Sequence, residues 1–187
     1  MKSKNEPLLD AKTMDGPTVK WAPNDIFKSR PRLFMAYHVM NSGYNYLTPL
    51  GVIIGGVVGL SPLGAKYLGK FTPLQIAGNG GIIAGALGGT LGLGAMYRIS
   101  NSKNPKIPWT DEGIQQRVDG LSHNFHVRVL DLGVFYGLAS AGGIILALGG
   151  PAAVGLSAGA FGVLQGLSLG SAVGSLGSMS CCGFRKN

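Results

Sequence analysis

The sequence predicts an all-α membrane protein whose four transmembrane helices form two glycine-rich hairpins, with amphipathic interfacial helices beside them. Charged residues make up only 13% of the chain, well below the share that soluble domains carry. Glycine occurs 32 times and recurs at four-residue steps, a spacing that puts it on one helix face. Interior glycine weakens a helix in water, but a bilayer forces the backbone to bond to itself and lets small residues pack helices closely.

The charge pattern divides the chain into five segments. An extended polar arm occupies residues 1–32, and the first hairpin, together with an interfacial helix leading into it, occupies residues 33–98. A polar loop with an amphipathic helix follows at residues 99–131. The second hairpin covers residues 132–178, and a short basic tail covers residues 179–187.

The first hairpin contains two uncharged segments long enough to cross a bilayer. Pro31 can open a helix at its first turn, and apolar residues at helical spacing after it predict the interfacial helix. The first span, Asn45–Ala65, must contain Pro49 to reach the necessary length, so we expect a kink there. The second span is Phe71–Tyr97. Glycines step by four in both spans: Gly51, Gly55 and Gly59 in the first, and Gly81, Gly85 and Gly89 in the second.

The polar loop and the second hairpin follow a similar pattern. Thr110 is the expected cap of a helix with acidic residues in its first turn. This amphipathic helix is predicted to lie on the membrane or on a partner. The third and fourth spans are Leu132–Gly150 and Ala152–Leu176, joined by a turn at Gly149–Pro151. The apolar face of the loop helix consists of Ile114, Val118, Leu121 and Phe125, and the glycine face of the fourth span consists of Gly162, Gly166, Gly170 and Gly174.

The two hairpins resemble each other in sequence. Leu50–Val52 and Leu132–Val134 both read Leu-Gly-Val at the start of a span. An internal duplication and a chance match in glycine-rich sequence both remain open.

Charge suggests an orientation and a class of partner. Four spans place both ends and the central loop on one side, which then holds all 16 Lys and Arg residues except Lys66 and Lys70. The positive-inside rule orients that side toward the compartment where insertion starts. The net charge is +8, but no basic motif would read a nucleic-acid groove, so we expect anionic phospholipids such as cardiolipin as partners, and no nucleic acid. Residues 1–12 lack the features of a cleavable targeting signal, so internal segments are expected to direct targeting.

The sequence predicts no catalytic residue, no cofactor site and no metal site. Asn79 and Gln165 are the polar residues nearest the membrane centre. Such amides usually hydrogen-bond to a neighbouring helix, and the alternative is that they line the path of a small-molecule carrier. Arg128 and Asp131 stand at the start of the third span, where we expect them to be anchors or to contact other subunits.

Histidine and cysteine offer only weak signals for chemistry. His123 and His126 are three residues apart, with Asp119 as the one further ligand type nearby, which favours a surface role over a metal site. Cys181 and Cys182 are adjacent, so they lack metal-ligand spacing and cannot staple the fold. They are interpreted as free thiols, with acylation beside the membrane or redox chemistry as alternatives.

The segment Gln116–Phe125, which reads QRVDGLSHNF, precedes the glycine-rich third span. It resembles the corresponding segment in a family of hydrophobic proteins of the mitochondrial inner membrane. That family includes protein-import translocase channels and a four-helix accessory subunit of respiratory complex I. The positions that match its pattern are Arg117, Asp119 and Asn124, followed by Gly133, Gly137 and Gly142 and by the segment Gly150–Gly155 at the start of the fourth span.

The segment Asn124–Asp131 is similar to small accessory membrane subunits of fungal complex I. The resemblance implies a non-catalytic subunit in the mitochondrial inner membrane that packs against the membrane arm, holds lipid and stabilises assembly. We expect helices of other proteins to occupy the bare glycine faces. The alternative is a component of a mitochondrial protein-import translocase. In that family the termini face the intermembrane space, which conflicts with the charge rule, and sidedness stays open.

Overall fold

The computed structural model describes residues 21–101 and 109–183, and this part of the chain folds into α-helices without a strand. Four helices are long and apolar enough to cross a membrane, which confirms the predicted all-α membrane fold. Most of the polar arm (1–20), part of the polar loop (102–108) and the end of the basic tail (184–187) lie outside the described residues. The helices are α1 (Pro31–Leu60), α2 (Pro62–Leu68), α3 (Pro73–Ser100), α4 (Asp111–His123), α5 (Phe125–Ala147) and α6 (Gly159–Gly183).

Helix α1 is one continuous helix of 30 residues that begins at Pro31 and passes through Pro49. The sequence assigned its first part to a separate interfacial helix, and the structure joins that part to the first span. At the rise of an α-helix it is about 45 Å long, whereas a hydrocarbon core is about 30 Å thick. Its first turns therefore extend beyond the span. The helix ends before the predicted Ala65, because Ser61 accepts a hydrogen bond from Gly64 N and caps α2.

The first hairpin packs α1 against α3, backbone to backbone. A Cβ on Gly51 would collide with the Gly80 carbonyl, and a Cβ on Gly43 would collide with the Gly88 carbonyl. Residue numbers rise from Gly43 to Gly51 along α1 while those of their partners fall from Gly88 to Gly80 along α3, so the two helices are antiparallel. The absence of side chains at these positions sets the helix separation.

The second hairpin repeats this packing with α5 and α6. Gly133 faces the Gly174 carbonyl, and Gly137 faces the Gly170 carbonyl. The first and second hairpins are therefore both glycine-lined, as the sequence predicts.

The connection between α5 and α6 turns at two glycines. Gly149 and Gly150 have φ angles of 84° and 126°, which side chains disfavour, so the predicted turn is confirmed. A short 3-10 helix, Pro151–Val154, follows the turn. As a result α6 begins at Gly159, later than the predicted Ala152.

Helix α6 is the centre of the bundle. It packs against α1, α3 and α5, whereas α5 packs mainly on α6 and touches α1 near one end. At the end of the bundle where α1 ends and α6 begins, the two hairpin connections meet, and Thr72 Oγ1 donates a hydrogen bond to Gly155 O at 3.0 Å. Helix α5 is the outermost span, because it packs mainly on α6 alone.

At the end of the bundle where α1 begins and α6 ends, α4 packs across the start of α1. Thr110 caps α4, as predicted. The apolar face of α4 is covered by α1: Ile114 and Val118 are buried against Phe34 and Met35. The prediction that this face lies on the membrane or on a partner is corrected accordingly, because its partner is a helix of the same chain.

Candidate functional site

The glycine face of α6 is filled by this chain's own atoms. Gly170 and Gly174 meet the backbone of α5, and Gly166 meets the side chain of Ile145. The fourth glycine, Gly162, meets the Ser157 carbonyl that precedes α6. The expectation that helices of other proteins occupy these faces is therefore wrong. A glycine face is equally suited to any close helix, and here the nearest helix along the chain occupies it.

A row of polar side chains runs along α6 and forms what we call the polar seam. Steps of three or four residues place its members on one side of the helix, and every member is buried. Sequence reasoning singled out the glutamine and missed the serines, although their spacing was visible. The polar seam consists of Gln165, Ser168, Ser171, Ser175 and Ser178.

Gln165 joins α6 to α3 and to the connection that precedes α6. Its Nε2 donates to Asn79 Oδ1 at 2.7 Å and to Gln75 O at 3.4 Å. Its Oε1 accepts a hydrogen bond from Ser157 N at 2.9 Å. The prediction that these amides bond to a neighbouring helix is confirmed. Both ends of the Gln165 amide are used in packing, which argues against the carrier alternative.

The serines of the polar seam tie α6 to the other three spans. A hydroxyl in hydrocarbon needs a partner within the protein, and each of these spans supplies one. The contacts join Ser168 Oγ to Gly78 O of α3 at 2.9 Å, Ser171 Oγ to Tyr44 Oη of α1 at 3.0 Å, and Ser178 Oγ to Val129 O of α5 at 3.1 Å.

A charged cluster lies at the end of the bundle that carries α4. Arg128 is buried, and its Nη1 and Nη2 donate to the two carboxylate oxygens of Asp25, each at 2.9 Å. Nη1 also donates to Ser122 O at 2.8 Å, and Lys28 Nζ lies 2.9 Å from Asp25 Oδ1. Burial alone would raise the pKa of Asp25, but hydrogen bonds from Arg128, Lys28 and the Ala22 amide hold that pKa below its usual value.

Asp131 lies one turn further along α5 and is also buried. Its Oδ1 accepts a hydrogen bond from Asn41 Nδ2 of α1 at 2.6 Å. Arg128 and Asp131 thus bond to groups of this chain, and their expected role as anchors or as contacts of other subunits stays a prediction. Their partners, Asp25 and Asn41, are 103 and 90 residues away in sequence, so local pattern could not identify them.

The candidate metal ligands His123, His126 and Asp119 are exposed on α4 and at the start of α5. His123 Nδ1 lies 2.7 Å from the backbone oxygen of Asp119. The Asp119 carboxylate accepts a hydrogen bond from Gln115 at 2.9 Å. Across the described part of the chain, no three His, Cys, Asp or Glu side chains are close enough together to hold a metal ion.

The residues that carry the family resemblance stabilise α4 and the start of α5. The Arg117 guanidinium lies 5.3 Å from the centre of the Trp109 ring, a cation–π distance. Asn124 Oδ1 accepts a hydrogen bond from Val127 N at 3.3 Å and caps α5. Together with Asp119, which accepts a hydrogen bond from Gln115, these positions make local contacts within α4 and at the start of α5.

Cys181 and Cys182 lie in the last turn of α6. Cys181 is exposed and carries a free thiol, whereas Cys182 is half-buried. The exposed thiol is thus accessible from the end of the bundle, and acylation and redox chemistry stay open for it.

One face of α5 is left uncovered by the other described helices. Ala139, Gly143 and Ala147 follow one another at four-residue steps and are exposed, and we call them the outer stripe. Among the described residues, no atom outside the adjoining backbone of α5 lies within 4 Å of the position that a Cβ on Gly143 would take. Tyr136 and Ile144 beside it are 62% and 55% exposed. The outer stripe has the small-residue spacing of the internal glycine faces without their internal contacts.

Apart from Ser175, the side chains of the polar seam bond to groups of the same chain and position its helices. The arrangement suits helix packing, with a tightly bonded interior and an apolar exterior. Comparison with known proteins gives no match to a family model, a curated protein or a solved structure.

Proposed function

We propose that this chain is a non-catalytic accessory subunit of mitochondrial NADH:ubiquinone oxidoreductase (complex I), of the fungal type. In this proposal it lies in the mitochondrial inner membrane and stabilises the membrane arm through helix packing and lipid contacts. The resemblance of Gln116–Phe125 to that family supports the assignment, and so do the four spans that the resemblance implies.

The outer stripe is the observation that carries the proposal. The glycines between α1 and α3 and between α5 and α6 are used inside the chain. Gly143 is not used in this way, and its neighbours Ala139 and Ala147 leave the backbone of α5 approachable along about two turns. Small residues at this spacing let a helix of another protein pack closely in lipid. A neighbouring subunit of the membrane arm is the partner we assign to this face.

The interior supports a structural role. Gln165 is fully buried, and its amide bonds to Asn79, Gln75 and Ser157. A side chain bonded in this way fixes helices in place and is costly to free in hydrocarbon. The protein would therefore act by fitting between other subunits.

Anionic phospholipids such as cardiolipin are the second class of partner in this proposal. Arg30, before α1, and Arg98, near the end of α3, are both exposed at the end of the bundle that carries α4. Cations at this depth lie where lipid head groups carry negative charge. The proposal expects these two side chains to contact lipid phosphate in the assembled complex.

Native gel electrophoresis of mitochondrial membranes tests the proposal. The tagged protein should co-migrate with NADH dehydrogenase activity, and Gly143→Leu should reduce its incorporation because the new side chain fills the outer stripe. Gly94→Leu is the matched control, since Gly94 on α3 also has no atom near its Cβ position. A wild-type protein that migrates apart from NADH dehydrogenase activity overturns the proposal. Crosslinks to precursor proteins in transit would instead assign it to a protein-import translocase.

A further inference from the structure

Three buried side chains at the junction of α1, α5 and α6 carry polar atoms that have no hydrogen-bond partner among the described residues. The atoms are Nδ2 and Oδ1 of Asn45, Oγ of Ser175 and Oδ2 of Asp131. Asn45 and Ser175 are completely buried, and Asp131 is 5% exposed. In hydrocarbon such atoms are unfavourable unless a partner is bound between them.

The contacts around these side chains place them within about one helical turn of one another along the bundle. Asn45 lies one helical turn after Asn41, which bonds to Asp131. Ser175 lies between Gly174 and Ser178, which contact Gly133 and Val129 O of α5 on either side of Asp131, so Ser175 and Asp131 are level with each other. The three side chains therefore belong to one polar layer, to which α1, α6 and α5 each contribute one member.

The types of unpaired atom distinguish between the ligands that could bind there. Three of the unpaired atoms are oxygens that could each bind a cation or accept a hydrogen bond: Ser175 Oγ, Asp131 Oδ2 and Asn45 Oδ1. Asn45 Nδ2 carries two hydrogens and needs an acceptor, which a metal ion cannot provide. Water both donates and accepts, and a buried water typically bonds to about three polar groups.

We infer that ordered water molecules bind between α1, α5 and α6 and bridge Asn45, Ser175 and Asp131. Four unpaired atoms require roughly two waters at the usual number of bonds per buried water. The water joins the outermost span to the centre of the bundle at a level where these groups do not bond directly. This site is independent of complex I, because it depends only on contacts within the chain.

Solid-state NMR of the full chain in lipid bilayers tests the inference through magnetisation transfer from water to asparagine side-chain amides. The Asn45 signal is identified by its loss in Asn45→Leu. Transfer to Asn45 should be as rapid as transfer to the exposed Asn101, although Asn45 is completely buried. Transfer to Asn45 that is no faster than transfer to lipid-facing backbone amides overturns the inference. The transfer rate itself is measured on the wild type, and Asn45→Leu serves only to assign the signal.

Two further arms distinguish a shared water site from water bound to Asn45 alone and from a bound cation. Ser175→Ala should slow transfer to Asn45 several-fold, whereas Ser171→Ala should leave it unchanged, because Ser171 already bonds to Tyr44 and Ser168 O. Equal transfer in the wild type and Ser175→Ala contradicts a site shared by the two residues. Adding sodium should not shift the Asn45 signal. A sodium-dependent shift would show that a cation is bound at this site and would overturn the inference of bound water.

Discussion

Replacing Gly137 with alanine should weaken the second hairpin, while the same change at Gly143 should not. The two glycines lie on α5, six residues apart. A Cβ on Gly137 would overlap the Gly170 carbonyl oxygen and stand 2.9 Å from Gly170 C and 3.2 Å from Gly174 Cα. A Cβ on Gly143 meets no atom within 4 Å. The pair therefore compares one added methyl group with and without a helix opposite.

The size of the effect follows from these distances. Carbon atoms in contact are normally about 3.5–4.0 Å apart, so the 2.9 Å approach to Gly170 C is too short by more than half an ångström. The obstacle is backbone and cannot rotate away, so α5 and α6 must separate. Overpacking of this kind costs about 1–3 kcal/mol, and the helix preference of alanine offsets up to about 1 kcal/mol. We expect Gly137→Ala to lower the free energy of unfolding by about 2 kcal/mol, the upper end of the overpacking cost less the helix-preference term, because the obstacle is rigid backbone.

Unfolding by sodium dodecyl sulfate in mixed micelles, followed by far-UV circular dichroism, measures this difference. Gly143→Ala should unfold at the same or slightly higher detergent fraction than the wild type, and Gly137→Ala at a lower one. Equal stability of Gly137→Ala and Gly143→Ala would show that α5 and α6 are not in backbone contact. The assignment of the glycine faces to internal packing would then be wrong.

Three further predictions concern the polar contacts and the apolar face of α4. Replacing Gln165 and Asn79 with leucine, singly and together, should reveal a coupling free energy of about 0.6–1.7 kcal/mol in detergent unfolding. If the effects of the two single replacements simply add in the double variant, the two amides do not bond to each other. The low pKa of Asp25 means that its contribution to stability is present above its unfolded-state pKa of about 3.9 and is lost as the pH falls through its folded-state value. Asp25→Asn should therefore flatten the acid limb of a stability–pH curve, and an unchanged limb would contradict this sign. Ile114→Ala removes a completely buried side chain and should cost about 2–5 kcal/mol, whereas Gln116→Ala on the exposed side of α4 should be neutral in thermal unfolding. Equal melting temperatures for these two variants would place the apolar face of α4 elsewhere.

The sequence was sufficient to predict the spans because lipid imposes a simple requirement on length and charge. Thr110 and the turn at Gly149 and Gly150 were also predictable, since caps and tight turns depend on neighbours in sequence. The occupant of each glycine face was not predictable from local sequence. A bare face on α6 has the same sequence whether it receives α5 or a helix of another protein, and only the fold decides between them.

The continuity of α1 shows a second limit of local pattern. The sequence predicted a separate interfacial helix before a first span that contains Pro49, and the structure joins the two into one helix. A proline in a membrane helix can be accommodated when neighbouring groups satisfy the freed backbone. In the structure Pro49 lies within an unbroken helix and is buried. The charged contacts were missed for a different reason. Arg128 and Asp131 find Asp25 and Asn41 only after α1 and α5 are brought together.

The glycine faces and the polar seam make different contributions to the bundle. Between α5 and α6, Gly133 faces Gly174, and Gly137, four residues later on α5, faces Gly170, four residues earlier on α6. Because the glycine pattern repeats every four residues, sliding α6 by one turn would again place glycine opposite glycine. The glycines therefore fix the distance between the helices without fixing their register.

The polar contacts remove that ambiguity. Ser178 reaches Val129 O in the same register as the glycine pairs, and a shift of one turn would break that bond. The same shift would move Gln165 away from Asn79 and Ser171 away from Tyr44. Each broken bond leaves a hydroxyl or an amide unpaired in hydrocarbon, which is strongly unfavourable. Close packing in this protein is therefore set by residues without side chains, and its register is set by a few polar side chains on α6 that have one set of partners.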